Sequence, residues 1–169
     1  MVFQHYNGQL RLDFSQNMLN AALFVTLPDK LQRLIDEFAL IDDPQERMAL
    51  VVDRARRLPP LSEGERTETH RVRGCVSQAW IVGELRDGRC HFHCDADSPL
   101  VKGLLALLCE FFSNAPPAEI AASAADPLGA LGLTHHLSPT RQNGLAHARV
   151  RIREIATQFS LADPADNPR

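Results

Sequence analysis

Apolar residues recur every three or four positions between residues 26 and 58, which predicts two amphipathic helices. Thr26 can cap the first helix and Asp43 the second, and Pro59-Pro60 ends the second helix. The two apolar stripes consist of Leu31, Leu34, Ile35 and Phe38, and of Met48, Val51, Val52, Ala55 and Leu58. We expect both helices to pack in one core.

The pattern then changes from helical spacing to alternation. Residues 78–85 are rich in strand-favouring residues, Asp87-Gly88 is typical of a hairpin turn, and residues 89–94 alternate as a returning strand. Helical spacing returns after Ser98-Pro99. The helix predicted at 100–112 is apolar on more than one face, so we expect it to be buried at the centre of the fold.

The remaining part of the chain, after residue 112, is also predicted to be helical. Residues 118–123 and 128–131 predict short helical pieces, and Ser138-Pro139 starts a last helix. The apolar positions of this last helix are Leu145, Ala148, Ile152, Ile155 and Phe159. The order of elements favours an α+β fold, in which a small antiparallel sheet, formed by a β-hairpin plus a further strand, packs against several α-helices.

The chain divides into three parts. Residues 1–26 are an N-terminal extension, either a hairpin around Asn7-Gly8 or a disordered segment. Residues 27–159 form one domain, and residues 160–169 have nothing to bury and are predicted to be a flexible tail. The apolar run at 18–27 is about half the length that a membrane-spanning helix needs.

Composition excludes several classes of function. The 169 residues carry a net charge of −3 with an isoelectric point near 6.1, so no overall basic field attracts nucleic acid or an anionic membrane. The 4 cysteines, at positions 75, 90, 94 and 109, are too few for a disulfide scaffold and lack the paired CxxC spacing of zinc sites. We therefore expect reduced thiols in a cytoplasmic protein.

Cys75 is the candidate reactive thiol. Gly74 directly before it permits a sharp or left-handed turn with no side chain crowding the sulfur. Arg71 and Arg73 would favour the thiolate over the thiol if their guanidinium groups face it. The alternative from spacing alone is a buried structural cysteine at a turn.

Cys90, His91, His93 and Cys94 are a second cluster of potential metal ligands. On a strand the two cysteines share a face but stand roughly 13 Å apart, at about 3.3 Å per residue, which is too far for one zinc ion. The histidines would point to the other face. We therefore predict that Cys90 and Cys94 face the core and that the strand holds no metal. Cys109 is predicted to be a core thiol on the apolar helix.

Basic side chains also surround the predicted start of the last helix. His135 and His136 precede Ser138, and Arg141 lies in the first helical turn. A helix N-terminus with an arginine in its first turn can bind an anion or a carboxylate. The alternative is that Arg141 pairs with a surface acid of this chain.

Three segments resemble one family, the SufE/CsdE family of sulfur acceptors, and together they are specific for it. They are RGCVSQAWI at 73–81, DSPLVKGL at 97–104 and LGLTHHLSPTRQNGL at 131–145, and the resemblance runs from about Leu27 to Ala156. Two features depart from the family pattern: Ala79 stands where the family usually has valine, and residues 1–26 extend beyond its usual start.

The resemblance implies a SufE/NifU-like fold and a defined role. A SufE-like protein is the partner of a PLP-dependent cysteine desulfurase, whose persulfide sulfur it accepts on its own cysteine and passes to an iron–sulfur cluster scaffold. Cys75 matches the acceptor cysteine and Arg141 matches an arginine implicated in the partner contact. With them we predict Gly74, Arg73 and His136 as partner-binding residues.

The resemblance also implies that PLP belongs to the partner, so that this chain holds no cofactor. The protein would then be a sulfurtransferase-like accessory protein that stimulates the desulfurase. Two other functions compete: a non-catalytic adaptor that regulates a desulfurase by docking alone, and a NifU-like cluster scaffold. The sequence leaves open which desulfurase and scaffold are used, and whether the chain is a monomer or a homodimer.

Overall fold

The computed structural model of the protein describes residues 25–74 and 77–162. Within these residues, six helices and two strands follow one another as α1 (Leu27–Ala39), α2 (Pro44–Arg57), β1 (Ala79–Arg86), β2 (Arg89–Ala96), α3 (Pro99–Phe112), α4 (Pro117–Ala122), α5 (Pro127–Ala130) and α6 (Pro139–Ala162). This is the predicted α+β fold. The predicted hairpin around Asn7-Gly8 lies outside the described residues.

The helices begin where their capping residues predict. Thr26 and Asp29 form a reciprocal capping box at α1, in which each side chain accepts a hydrogen bond from the other residue's backbone N–H. The Asp43 carboxylate accepts from the Gln45 N–H at 2.7 Å to cap α2, and Ser98 caps α3. These contacts satisfy backbone donors that have no partner inside the helix.

Helix α3 is the centre of the core, as predicted. Most of its side chains are buried, and it packs against α2 and against β2. A Cβ atom at Gly103 would lie 2.4 Å from the carbonyl oxygen of Val51. Glycine at this position therefore lets the backbones of α2 and α3 approach closely, and a side chain there would push the two helices apart.

The hairpin has the predicted turn. Strands β1 and β2 pair antiparallel from Ala79 opposite Ala96 to Arg86 opposite Arg89. Asp87 and Gly88 have φ values of 51° and 70°, which two-residue hairpin turns of the mirror-image type require.

The predicted further strand is wrong in extent. In the described part of the chain, the sheet has two strands, and the segment before β1 adds only an isolated bridge between Arg71 and Trp80. The pairing stops there because the next residues turn, and Gly74 takes a left-handed conformation.

Helix α6 packs against α4 and crosses β1. Its predicted apolar positions face the core, with Leu145, Ala148, Ile152 and Ile155 buried. The helix ends at Ala162, so it extends three residues into the tail predicted at 160–169. Neither proline nor glycine interrupts the sequence there before Pro164.

Asp95 on β2 joins three elements through its buried carboxylate. It accepts a hydrogen bond from the Leu61 N–H at 3.1 Å and forms ion pairs with Arg66 and with Lys102 of α3. Burial alone would raise the pKa of Asp95, but the hydrogen bonds from Lys102, Arg66 and Leu61 outweigh it and lower that pKa. The network attaches the segment after α2 to the sheet.

We expect Asp95→Asn to lower the free energy of unfolding at pH 7 by about 1.5 kcal/mol, because it removes hydrogen bonds to a charged group. The folded-state pKa is below the ordinary value of 3.8. The contribution of ionised Asp95 is therefore present above that value and is lost as the pH falls through the folded-state pKa. Urea unfolding at pH 7 and pH 3 should show the difference between parent and variant shrinking in acid.

The control for this experiment is Asp42→Asn, an exposed carboxylate between α1 and α2. It should leave stability within about 0.5 kcal/mol of the parent. A deficit of Asp95→Asn that is equally large at both pH values would contradict an electrostatic role for this carboxylate.

Candidate functional site

The segment at 70–72 is hydrogen-bonded to the start of β1, and a short connection joins the two. The Val72 N–H donates to the Ala79 carbonyl at 2.8 Å, and the Ile81 N–H donates to the His70 carbonyl at 2.9 Å. Val72 and Ala79, on either side of this connection, therefore lie next to each other. Cys75, the predicted acceptor, lies in this connection but outside the described residues.

The far end of the connection is also attached. The Asp97 N–H donates to the Gln78 carbonyl at 3.1 Å, which ties the residue before β1 to the residue after β2. Arg66 lies over the Trp80 ring, with its guanidinium carbon 5.8 Å from the ring centroid. Both flanks of the Cys75 connection are thus held by the hairpin and by the segment that precedes it.

Position 74 requires glycine for two reasons, its backbone conformation and the lack of space for a side chain. Its φ of +78° is a left-handed conformation that side chains disfavour. A Cβ atom there would also lie 2.2 Å from Nδ1 and 2.6 Å from Cε1 of His147. The left-handed turn predicted at Gly74 is therefore confirmed, and the imidazole of His147 on α6 lies directly against the glycine backbone.

A groove of about 340 Å³ lies beside Gly74, between the segment at 68–73 and α6. We call it the arginine groove, and its lining residues are Glu68, Thr69, Arg71, Arg73, His147, Val150, Arg151 and Glu154. Arg71 and Arg73, predicted near the thiol, thus share one groove with His147. The three arginines outnumber the two glutamates, so the groove carries excess positive charge.

The charged groups of the arginine groove are partly paired. Arg71 contacts Glu68 at 2.7 Å, and Arg151 lies 3.6 Å from Glu154. Arg151 also donates to the Thr69 carbonyl at 2.8 Å, which ties α6 to the segment before the Cys75 connection. Arg73 is exposed and has no ion-pair partner among residues 25–74 and 77–162. Arg73 therefore supplies the uncompensated charge.

The other three cysteines are core residues, as predicted. Cys90, Cys94 and Cys109 are at most 5% exposed. Burial raises the pKa of Cys90 to about 11. A hydrogen bond with Cys94, and burial after it, raise the pKa of Cys109 well above its ordinary value. The thiols of Cys90 and Cys109 are therefore protonated at neutral pH and poor nucleophiles.

The two histidines of β2 point away from these thiols. His93 is exposed and lies 3.6 Å from Glu84 on the neighbouring strand, whereas Cys94 beside it is buried. In the described part of the chain, no group of three or more histidine, cysteine or acidic residues could hold a metal ion. No helix in that part is long and apolar enough to cross a membrane.

Arg141 and His136 lie apart from the arginine groove. Both are exposed at the start of α6, and neither lines the groove. Arg141 has no ion pair with any carboxylate that the structure describes, so the local surface pair considered from the sequence does not form there. The amide of Gln142 donates to the Thr134 and Leu137 carbonyls at 3.1 and 2.9 Å and holds the turn against the helix.

A cavity of about 710 Å³, larger than the arginine groove, lies elsewhere, between α2, the hairpin and α3. Its lining includes the buried Cys94 and Cys109, and it shares no residue with the arginine groove. The predicted residues Arg73 and Gly74 therefore come together with His147 and Arg151, which the sequence did not single out. No local signal marks these two, because their contacts join segments that are distant along the chain.

The comparison with protein families establishes the identity of this fold. The model of the SufE family, described as an Fe-S metabolism associated domain, matches residues 32–156. The chain belongs to the SufE family. The resemblance based on the three sequence segments is thereby confirmed, and it assigns the protein to iron–sulfur metabolism.

Curated SufE-like relatives support this assignment. An uncharacterized SufE-like protein of Rhizobium etli is 37% identical over 131 residues, covering 75% of this chain and 88% of the relative. The SufE-like protein 1, chloroplastic/mitochondrial, of Arabidopsis thaliana is 37% identical over 142 residues, covering 83% of this chain and 38% of the relative. The SufE-like part is thus a portion of a longer chain in the plant protein.

A solved structure supports the SufE-family fold. The solution structure of a hypothetical protein from Thermus thermophilus matches with a TM-score of 0.65 and 21% sequence identity. The match covers 79% of this chain and 97% of that one. At this identity the likeness concerns the fold alone.

Proposed function

We propose that this SufE-family protein accepts persulfide sulfur from a PLP-dependent cysteine desulfurase on Cys75, stimulates that enzyme, and passes the sulfur to an iron–sulfur cluster scaffold. The observation that carries the proposal is the contrast among the four cysteines. Three are buried in the core, whereas Cys75 follows a left-handed glycine beside a groove with excess positive charge. A cationic environment is the kind in which a cysteine reacts as a thiolate.

The chemistry needs only thiols. The Cys75 thiolate attacks the outer sulfur of the donor persulfide, a sulfur–sulfur bond forms on Cys75, and the bond within the donor breaks. The donor leaves as a thiolate that takes up the proton lost by Cys75. No oxidant or reductant is consumed, and this chain needs no cofactor for the step, because PLP would serve the desulfurase.

The site of partner contact is part of the proposal. Arg73 and Gly74 beside the acceptor, and Arg141 and His136 at the start of α6, are exposed. The two arginines have no described ion-pair partner, so both can pair with carboxylates of another protein. The proposed location is the cytoplasm.

Two other functions fit the site less well. A NifU-like scaffold needs several cysteines and acids that converge on a metal, but Cys90, Cys94 and Cys109 are buried. A docking-only adaptor would share the exposed arginines but would not require the Cys75 sulfur. The fate of that sulfur therefore distinguishes the acceptor from the adaptor.

Mixing the full chain with a desulfurase of the same source and L-cysteine should add the mass of one sulfur atom to this protein. Peptide mapping should place the added sulfur on Cys75, and treatment with a reducing thiol should remove it. The control omits L-cysteine. Added sulfur on Cys90, Cys94 or Cys109 instead, or no added mass while the desulfurase turns over, would refute the acceptor role.

A further inference from the structure

We propose that the outer edge of β2 binds an extended, uncharged segment of a partner protein, which adds to the hairpin as a further strand. The segment occupies the cavity of about 710 Å³ between α2, the hairpin and α3. The proposal goes beyond the proposed function and does not depend on Cys75. It is carried by unpaired backbone groups of β2, by the wall beside them and by the charges around the cavity.

The cavity runs along the edge of β2. His93 lies on the exposed face of the hairpin, whereas Phe92 and Cys94 are buried on its core face. All three residues line the cavity. Successive side chains of a strand point to opposite faces, so a cavity that is lined from both faces of β2 lies at its edge. The backbone N–H and C=O groups of an edge point into such a space.

Some of these outward backbone groups have no partner. The Cys90 N–H donates to the Ala115 carbonyl at 3.0 Å, so every second residue of β2 directs its backbone groups away from β1. The Phe92 N–H donates in the same direction to Ser113 Oγ at 2.9 Å. The Phe92 carbonyl and both backbone groups of Cys94 come next, and the part of the chain that the structure describes offers them no hydrogen bond. Unpaired backbone groups of buried residues cost free energy, which favours a ligand that pairs with them.

The wall of the cavity at 58–61 cannot supply the missing donors. Pro59-Pro60 has no backbone N–H. The N–H of Leu58 donates to a carbonyl of α2, and the N–H of Leu61 donates to the Asp95 carboxylate at 3.1 Å. Every N–H of this segment is therefore missing or already engaged. The edge of β2 stays open for a strand from another protein.

The charges of the cavity match an uncharged occupant. Three arginines and three glutamates line it, namely Arg54, Arg57, Arg86, Glu65, Glu84 and Glu110. Each of the six has an ion-pair or hydrogen-bond partner in this chain. Because neither sign is in excess, a charged side chain of the partner would have to displace an existing pair, whereas an uncharged one would not.

The remaining lining is apolar and suits the side chains of such a strand. Leu58 is 41% exposed at the rim, and Ala106 of α3 lines the cavity. At about 3.3 Å per residue, roughly three residues of an extended peptide span the open stretch from Phe92 to Cys94. In an antiparallel arrangement, one peptide residue exchanges both of its backbone hydrogen bonds with Cys94.

Amide hydrogen exchange of the full chain, measured by NMR, tests the proposal. The probe is a short acetylated, amidated peptide of alternating valine and threonine, which is extended and uncharged. At a peptide concentration of about ten times Kd, we expect the Cys94 amide to exchange about tenfold more slowly than in the free protein. The control is the same peptide N-methylated at each residue, which keeps the side chains but has no N–H to donate, and it should give no protection.

A second variant pair tests the rim of the cavity. Leu58→Asp places a charge in the balanced lining and should raise Kd for the peptide about tenfold. Leu40→Asp is the matched control, because Leu40 is 86% exposed and does not line the cavity, and it should leave Kd within about a factor of two.

Equal protection by the N-methylated peptide, or none by either peptide at millimolar concentration, would overturn the proposal. So would a Cys94 amide that exchanges as slowly in the free protein as the His93 amide, which faces β1, because the edge would then be occupied by this chain itself. Protection that grows with protein concentration alone would assign the edge to a second copy of this chain instead of a partner.

None of these measurements involves sulfur transfer. Loss of sulfur acceptance on Cys75 would therefore leave the binding edge intact, and failure of peptide binding would leave the acceptor role intact.

Discussion

Cys75→Ser should fold as the parent does and abolish stimulation of the desulfurase. A serine hydroxyl cannot attack a persulfide and hold its sulfur, because the sulfur–sulfur bond requires a thiolate. The measurement is the desulfurase rate, as sulfide or alanine formed per unit time, with and without the variant. We expect the stimulated part of the rate to fall to the level of the desulfurase alone.

The matched control for this variant is Cys94→Ala, which removes a buried thiol outside the arginine groove. It should stimulate as the parent does if it remains folded, which circular dichroism establishes. Full stimulation by Cys75→Ser would eliminate the acceptor mechanism and favour the docking-only adaptor. Binding of Cys75→Ser to the desulfurase should persist in either case, so that loss of rate is not mistaken for loss of the complex.

Arg141→Ala should weaken binding to the desulfurase by about 2 kcal/mol, or about 30-fold in Kd, if the guanidinium pairs with a partner carboxylate. The absence of an ion pair to any described carboxylate leaves the side chain available for this contact. Titration calorimetry at moderate salt measures the change. Arg33→Ala, an exposed arginine on α1, is the control and should leave Kd within about a factor of two.

An unchanged Kd for Arg141→Ala would remove Arg141 from the contact surface. A parallel loss in Arg33→Ala would indicate a general charge effect, which would also weaken steeply with added salt. We expect only Arg141→Ala to lose affinity for the desulfurase. Part of this loss should persist as the salt concentration rises.

The helices and the hairpin were predictable because their signals are local. Caps at Thr26, Asp43 and Ser98 and the Asp87-Gly88 turn act within a few residues, and the structure has each element that they predict. Leu58 shows the limit of periodicity. It continues the apolar stripe of α2, but the helix ends at Arg57 and Leu58 is 41% exposed.

The end of α6 and the extent of the further strand differ from their predictions for physical reasons. Helix α6 continues to Ala162 because no helix-breaking residue follows until Pro164. The segment before β1 pairs through two backbone hydrogen bonds only, since the turn at Gly74 carries the chain off the sheet edge. How far such pairing extends depends on where the rest of the chain packs, which strand propensity does not encode.

The family, the candidate acceptor Cys75, and the inward positions of Cys90, Cys94 and Cys109 could all be inferred from the sequence. The strand alternation, the helical periodicity and the three motif segments each depend on residues that are close together in the sequence. They can therefore be recognised without a structure. The contact of His147 with Gly74, and the meeting of Arg151 with Arg71 and Arg73 in one groove, became visible only in the folded chain. These contacts form because α6 packs back across β1, and local periodicity cannot specify which distant segments such packing brings together.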